Sequence, residues 1–279
     1  MRGLAEYAMK GRRQAIMSAF VTGLIPLVNT VLSPALVALV ILRHGPTEGM
    51  RILMWAVLPA IGWTVIGDMT HLMVLLGVAG LALVLRRSGS WQLALIASIL
   101  VGVAAEISMR FNPQFVEMLQ QQLQLMLDAN SETAGLFSEP DALRAAIGSL
   151  FGVMSMFVSI CVLILARWWQ SLLYNPGGFG REFHELRMDF RVAAGLVLLV
   201  LLANFGAPVL QGWIMYFMLP LFFAGLALVH GLAALKRISR VWLIVFYVVL
   251  MNPLTVQILT IAALADSWIN FRGKVKPAV

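Results

Sequence analysis

One cysteine in 279 residues, Cys161, leaves no disulfide and no thiolate metal site to consider, and it lies inside an apolar run. Charge is scarce too: Asp, Glu, Lys and Arg make up 12% of the chain, against about 25% in soluble globular proteins. Acids are the scarcer sign, 13 against 20 bases. The histidines, His44, His71, His184 and His230, are far apart and never in HExxH-like spacing, so no metal is expected. No phosphate loop of the G-x-x-x-x-G-K-[ST] kind occurs, and the glycines of "NPGGFG" lack the Lys-Ser/Thr that would follow, so the chain has no ATPase of its own. Without a Ser-His or paired-Asp arrangement inside an apolar run, the expectation is a protein that is not an enzyme and has no catalytic residue and no cofactor.

What is abundant is hydrocarbon. The chain is 61% hydrophobic with a mean hydropathy of +0.89, an inventory that cannot cover a water-facing surface. Lipid is the expected solvent. A net charge of +7 and a pI near 10.2 would suggest nucleic acid in a soluble chain, but the bases here sit in short clusters between apolar runs, as loop charges of membrane proteins do. No nucleic-acid partner is expected. The basic start is followed by an uncharged run from Gln14 to Leu42, far longer than the h-region of a signal peptide, and is read as retained anchor.

Further uncharged runs span Ile52 to Gly67, Met69 to Leu85, Ser88 to Ala105, Ala145 to Ala166, Val192 to Leu235 and Val241 to Ala265. A crossing helix needs roughly 20 residues, so the longest runs subdivide. Gln14 to Leu42 reads as two short helices around Pro26 to Pro34, and Val192 to Leu235 breaks at "NFGAPVLQGW". Val241 to Ala265 counts as one helix kinked at Pro253. The expectation is an all-α, polytopic integral membrane protein with about nine transmembrane helices (eight to ten). With the N-terminus in the cytoplasm, the clusters at Arg2 to Arg13, Arg43 and Arg51, Arg86 and Arg87, Arg167 to Arg191, and Lys236 to Arg240 all fall inside, fifteen of the 20 bases. The connection from Arg110 to Arg144 falls outside and carries Glu117, Asp128, Glu132, Glu139 and Asp141. The tail bases Arg272, Lys274 and Lys276 break the trend unless the last segment is a hairpin at Asn252-Pro253.

Two amphipathic pieces interrupt the spans. Phe115, Met118, Leu119, Leu123, Met126 and Leu127 keep helical spacing among glutamines, which suggests a helix lying across the external face, with Ser138 capping the helix that follows. Trp168, Trp169 and Tyr174 suit the aromatic belt where a helix leaves the inner leaflet. After "NPGG", Phe179, Phe183, Leu186 and Phe190 recur at helical intervals with charges between them, which predicts a second interfacial helix, its rings in lipid and its charges in water. Its first role is anchorage; the alternative is a docking surface for a cytoplasmic partner. His184 on it reads as a solvated polar residue.

"RWWQSLLYNPGGFGREFHELR" (Arg167 to Arg187) and "LADSWINFR" (Leu264 to Arg272) resemble the YybS-like family of bacterial membrane proteins, a domain of unknown function covering nearly the whole chain. That family is distantly similar to the S components of energy-coupling-factor transporters and to MreD. The resemblance implies a six-helix S-component-like core over residues 1–167 with the external loop 107–144, a cytoplasmic interfacial segment at 168–191, C-terminal transmembrane helices at 192–279, and an address in the bacterial inner membrane. S components pack on a coupling subunit through small residues four apart on their first helix, and "AIMSA" offers Ala15 and Ala19. "GSLFG", Gly148 to Gly152, has the same spacing and reads as internal packing.

Ionisable groups near spans are the candidates for solute binding. Asp68 and His71 are three apart and share a face if a helix runs through them, though the flanking uncharged runs of 16 and 17 residues place them in an external turn. Glu106 lies at the external end of its helix. The partners expected are the lipid bilayer, an unknown small molecule and a membrane coupling subunit. Two functions follow: S-component-like binding or transport of a small solute, or an MreD-like scaffold that recruits a complex. A reporter fused after Arg87 should lie in the cytoplasm and one inserted after Glu132 outside it; protease accessibility in spheroplasts checks this, and a shared compartment refutes the threading.

Overall fold

The computed structural model describes residues 2–128, 140–205 and 212–275. Among these the chain is all helical, with no strand. Four helices are long and apolar enough to cross a membrane: Thr70–Ser88, Trp91–Phe111, Asp141–Tyr174 and Ile214–Leu235. A bent pair, Val241–Val249 with Pro253–Ile269, makes a fifth if it is counted as one span. The break expected at "NFGAPVLQGW" and the cap at Ser138 lie outside the described residues.

The chain divides into two compact units, Met1–Tyr174 and Asn175–Val279. The first contains α1 (Arg2–Ala8), α2 (Arg12–Leu24), α3 (Asn29–His44), α4 (Pro46–Val65), α5 (Thr70–Ser88), α6 (Trp91–Ser108), α7 (Pro113–Asp128) and α8 (Pro140–Tyr174). Its centre is α3, buried from Ala35 to Leu42 and packed on α2, α4, α5 and α8. Helix α8 packs on α6 and α5 through small residues, with Gly148 and Gly152 buried. Ala15 and Ala19 are buried as well, at 3% and 0% exposure, where α2 packs on α3 and α4. That stripe packs inside its own unit, and the exposed side of α2 is Met17, Val21 and Leu24.

One end of this unit is basic. Gly45 turns between α3 and α4 with φ +98°, a backbone state suited to glycine. The Arg86 and Gln170 side chains both donate to the Leu42 carbonyl, the Arg43 guanidinium lies 3.9 Å over the Tyr174 ring, and Arg12 and Arg51 share Glu48. These groups are far apart in sequence and meet because the ends of α3, α5 and α8 and the starts of α2 and α4 lie at one level. Arg12 holds the exposed Glu48 carboxyl below its usual range by hydrogen bonding, and Glu48 raises Arg12 in turn.

At the end of α8, Trp169 is fully buried while Trp168 and Tyr174 are each 41% exposed. Adjacent residues on a helix point about 100° apart, so one of two consecutive tryptophans has to turn inward. Trp169 is a core residue and not an outward anchor.

The second unit contains α9 (Gly178–Glu185), α10 (Phe190–Phe205), α11 (Ile214–Leu235), α12 (Arg240–Val249), α13 (Pro253–Ile269) and α14 (Phe271–Lys274), with α11 packed on α9, α10 and α13. A Cβ at Gly225 would lie 2.7 Å from the Leu259 carbonyl, so α11 and α13 touch backbone to backbone there. The helix expected across Phe179 to Phe190 stops at Glu185. Leu186 and Met188 are buried and alternate with Arg187 and Asp189, a period of two that suits extended chain. Phe179 and Phe183 stack at 5.7 Å, and Phe183 meets His230 of α11 edge-on at 5.7 Å. These half-buried rings take part in the unit's own packing, and the exposed Phe190 opens α10 on another element.

Helices α12 and α13 are bent by 111°, far beyond a proline kink, with the Asn252 side chain accepting from the Leu254 N–H at 2.9 Å. Arg237, just before α12, and Arg272, just after α13, line the same cavity, so the segment leaves and returns at one end of the unit. The Arg272 guanidinium closes that return. It pairs with Asp266 at 2.7 Å and donates to the carbonyls of His184 and Leu186. Asp266 also accepts from the Phe271 N–H at 2.8 Å across the left-handed Asn270. Replacing Asp266 with Asn should destabilise the protein by about 3 kcal/mol, because it strands a nearly buried guanidinium. Thermal unfolding of the purified protein would register this as a lowered Tm, and Asp266→Asn/Arg272→Met should recover only part, since two carbonyls lose their donor.

Candidate functional site

The end of the first unit opposite Arg12, Arg43, Arg51 and Arg86 is built from the α4–α5 turn, the end of α6, α7 and the start of α8. Asn112 organises it. Its Nδ2 donates to the Gly67 carbonyl at 3.1 Å, and its Oδ1 accepts from the Phe115 N–H at 3.3 Å, which starts α7 and ties it to the α4–α5 turn.

Two concavities flank α7. One, of about 390 Å³, has Glu106, Arg110, Asp141 and Arg144 on its walls. Two acids and two bases balance, so the space favours neither sign of charge. The other, of about 420 Å³, lies between α5, α7 and α8, and its walls are mostly apolar: Val74, Leu119, Leu123 and Phe151 among them, with Thr70, Gln122 and Ser155 as polar groups. Helix α7 turns Val116, Leu119 and Leu123 inward, whereas Met118 and Met126 of its expected apolar face are 47% and 70% exposed. The Ser155 hydroxyl is 2% exposed and has no hydrogen-bond partner among the described residues. An unanswered hydroxyl in an apolar chamber offers a ligand one directional contact.

The residues expected to bind solute do not converge. The Asp68 carboxylate accepts from the Thr70 N–H at 2.9 Å and starts α5. His71, in the first turn of α5, is fully buried, and neither ring nitrogen has a partner among the described residues. It wedges α5 against α2: a Cβ at Gly23 would lie 3.2 Å from His71 Cε1 and 2.8 Å from Pro59 Cγ. The Trp63 indole donates to the Gly23 carbonyl at 2.9 Å and locks the same spot. Glu106 lines the charged concavity alone of the three. Only Thr70, between Asp68 and His71, reaches the apolar chamber. Ser155 and Ser159 escape a search keyed to ionisable groups. They continue the line of Gly148 and Gly152 along α8 at helical spacing, and that line was the available signal.

Among the described residues no cluster of three or more metal-ligating side chains occurs. No protein-family model, no curated protein and no solved structure matches this chain. What the fold defines is a class: an all-helical protein with several apolar helices of membrane-crossing length.

If His71 serves only as a wedge, His71→Leu removes two unanswered polar atoms and should leave Tm unchanged or raise it. Gly23→Val at the same contact should destabilise by about 1–3 kcal/mol through overpacking. Thermal unfolding of both variants in one detergent makes the comparison.

Proposed function

We propose that this chain is a multi-pass protein of the bacterial inner membrane, N-terminus in the cytoplasm, whose first unit binds a small, largely apolar solute in the manner of an S component and depends on another protein for any energy input. The reading is carried by the chamber beneath α7. Its volume of about 420 Å³ falls within the range of about 300–1,000 Å³ usual for ligand sites, and an amphipathic helix roofs it at the end opposite Arg12, Arg43, Arg51 and Arg86. The positive-inside rule assigns the arginine-rich end of the first unit to the cytoplasm, which opens the chamber outward. Counting α12 and α13 as a re-entrant pair leaves eight crossings. The resemblance to the YybS-like family and to S components supports the same reading.

Coupling to a membrane partner, if it follows the S-component pattern, uses a surface other than Ala15 and Ala19, and the exposed Met17, Val21 and Leu24 face of α2 is the available one. An MreD-like scaffold role has less support, because the rings expected to face a membrane or partner from α9 pack on α11.

Ser155→Phe places a ring in the chamber. Native mass spectrometry of protein purified in mild detergent should find a small molecule bound to the wild type and lost from the variant, with Tm within a few degrees of wild type. An empty wild-type chamber under conditions that preserve bound lipid would refute the solute reading.

A further inference from the structure

The cavity where α11 and α13 finish encloses about 770 Å³ and belongs wholly to the second unit. Arg181 and Glu185 reach it from α9, Arg187 from the extended stretch after α9, Arg237 from the turn after α11, and Arg272 from α14. Four guanidinium groups thus meet two carboxylates, Glu185 on the wall and Asp266, which Arg272 already holds. Among the described residues no ion pair, side-chain hydrogen bond or ring contact engages the guanidinium group of Arg181, Arg187 or Arg237. The negative end of the α11 dipole, about half a charge, offsets Arg237 in part. Arg181 and Arg187 come from other elements. His184 is held below the ordinary imidazole range by burial and by Arg272, so at neutral pH it brings a hydrogen-bonding ring and no charge.

Depth identifies the anion. Helix α11 has 22 residues, about 33 Å of helix against a hydrocarbon thickness of about 30 Å. If α11 crosses the membrane, the cavity at its C-terminal end lies at the level of the lipid phosphates. Gly231, Ala234 and Leu235 line its α11 side. Planar guanidinium forks match phosphate oxygens. We propose that this cavity binds the phosphate of an acidic phospholipid headgroup, with Arg181, Arg187 and Arg237 as donors and Arg272 fixing the wall that carries them. The proposal rests on the reading that α11 spans the bilayer and is independent of the solute chamber.

The full-length protein, purified in neutral detergent, would be titrated with phosphatidylglycerol, with phosphatidylcholine and with inorganic phosphate, reading bound lipid by native mass spectrometry and Tm in parallel. Phosphatidylglycerol should bind and raise Tm, and phosphatidylcholine should do neither. Arg187→Gln should weaken phosphatidylglycerol about fivefold, and the triple change Arg181→Gln/Arg187→Gln/Arg237→Gln by about a hundredfold. Arg187→Lys should keep most of the affinity, and Glu185→Gln should tighten binding, which supplies a gain-of-affinity arm should the triple variant fold poorly. Equal response to both lipids, or a Glu185→Gln variant and single arginine variants that all titrate like wild type, would overturn the proposal. Inorganic phosphate matching phosphatidylglycerol in its effect would overturn the lipid assignment in favour of a soluble phosphate. Carbonate extraction of expressing cells separates the premises: release of the protein sinks the membrane reading, whereas retention without lipid selectivity sinks the pocket alone.

Discussion

A helix that ends near hydrocarbon leaves carbonyls that neither the next turn nor lipid can satisfy. This chain has few charged groups, and it uses guanidinium groups for that task. Arg86 reaches across from α5 to the Leu42 carbonyl at the end of α3, where Gln170 of α8 also donates. Arg272 does the same for the carbonyls of His184 and Leu186 at the end of α9. Each contact satisfies an orphan acceptor and also fastens one helix end to another remote in sequence. The scarcity of charge and the closure of both units are therefore one fact viewed from two sides.

The apolar runs locate most of the helices because a run bounded by Gly, Pro or Arg leaves little else for backbone in an apolar surround. Breaks at residues 25–28, at Gly45 and at Asn252-Pro253 fall where turn formers cluster. Orientation about each helix axis is less legible. Trp168 and Trp169 are identical by composition and by depth, and only the neighbouring helices decide which is buried. Leu186 to Asp189 offers four residues, too few to tell a period of 2 from a period of 3.6, so the end of α9 at Glu185 stays hidden in the pattern of phenylalanines.

The candidate site was legible as an end of a unit and not as a set of residues. Insertion cost marks Asp68, His71 and Glu106 as residues needing compensation, but three different forms of it satisfy that need. Asp68 uses a backbone N–H, Glu106 sits in a balanced charged concavity, and His71 is enclosed by packing alone. The chamber is made by small and apolar side chains that no chemical motif singles out, and α7 becomes its roof through Asn112, a residue whose only sequence signal is its place before a proline.

The return of α12 and α13 removes the main objection to the charge asymmetry. As a single crossing, Val241 to Ala265 would carry Arg272 and Lys274 away from Lys236, Arg237 and Arg240, the basic cluster of the same unit. A bend of 111° instead brings Arg272 back beside Arg237. Proline at the start of α13 makes such a reversal inexpensive, since its missing N–H falls where a helix has no partner to offer, and Asn252 supplies the cap. The buried Asp266 then has a reason to exist: its carboxylate neutralises Arg272 and orients it over the two carbonyls, which adds to the packing of α13 on α11 a polar tie from the end of the hairpin to the end of α9.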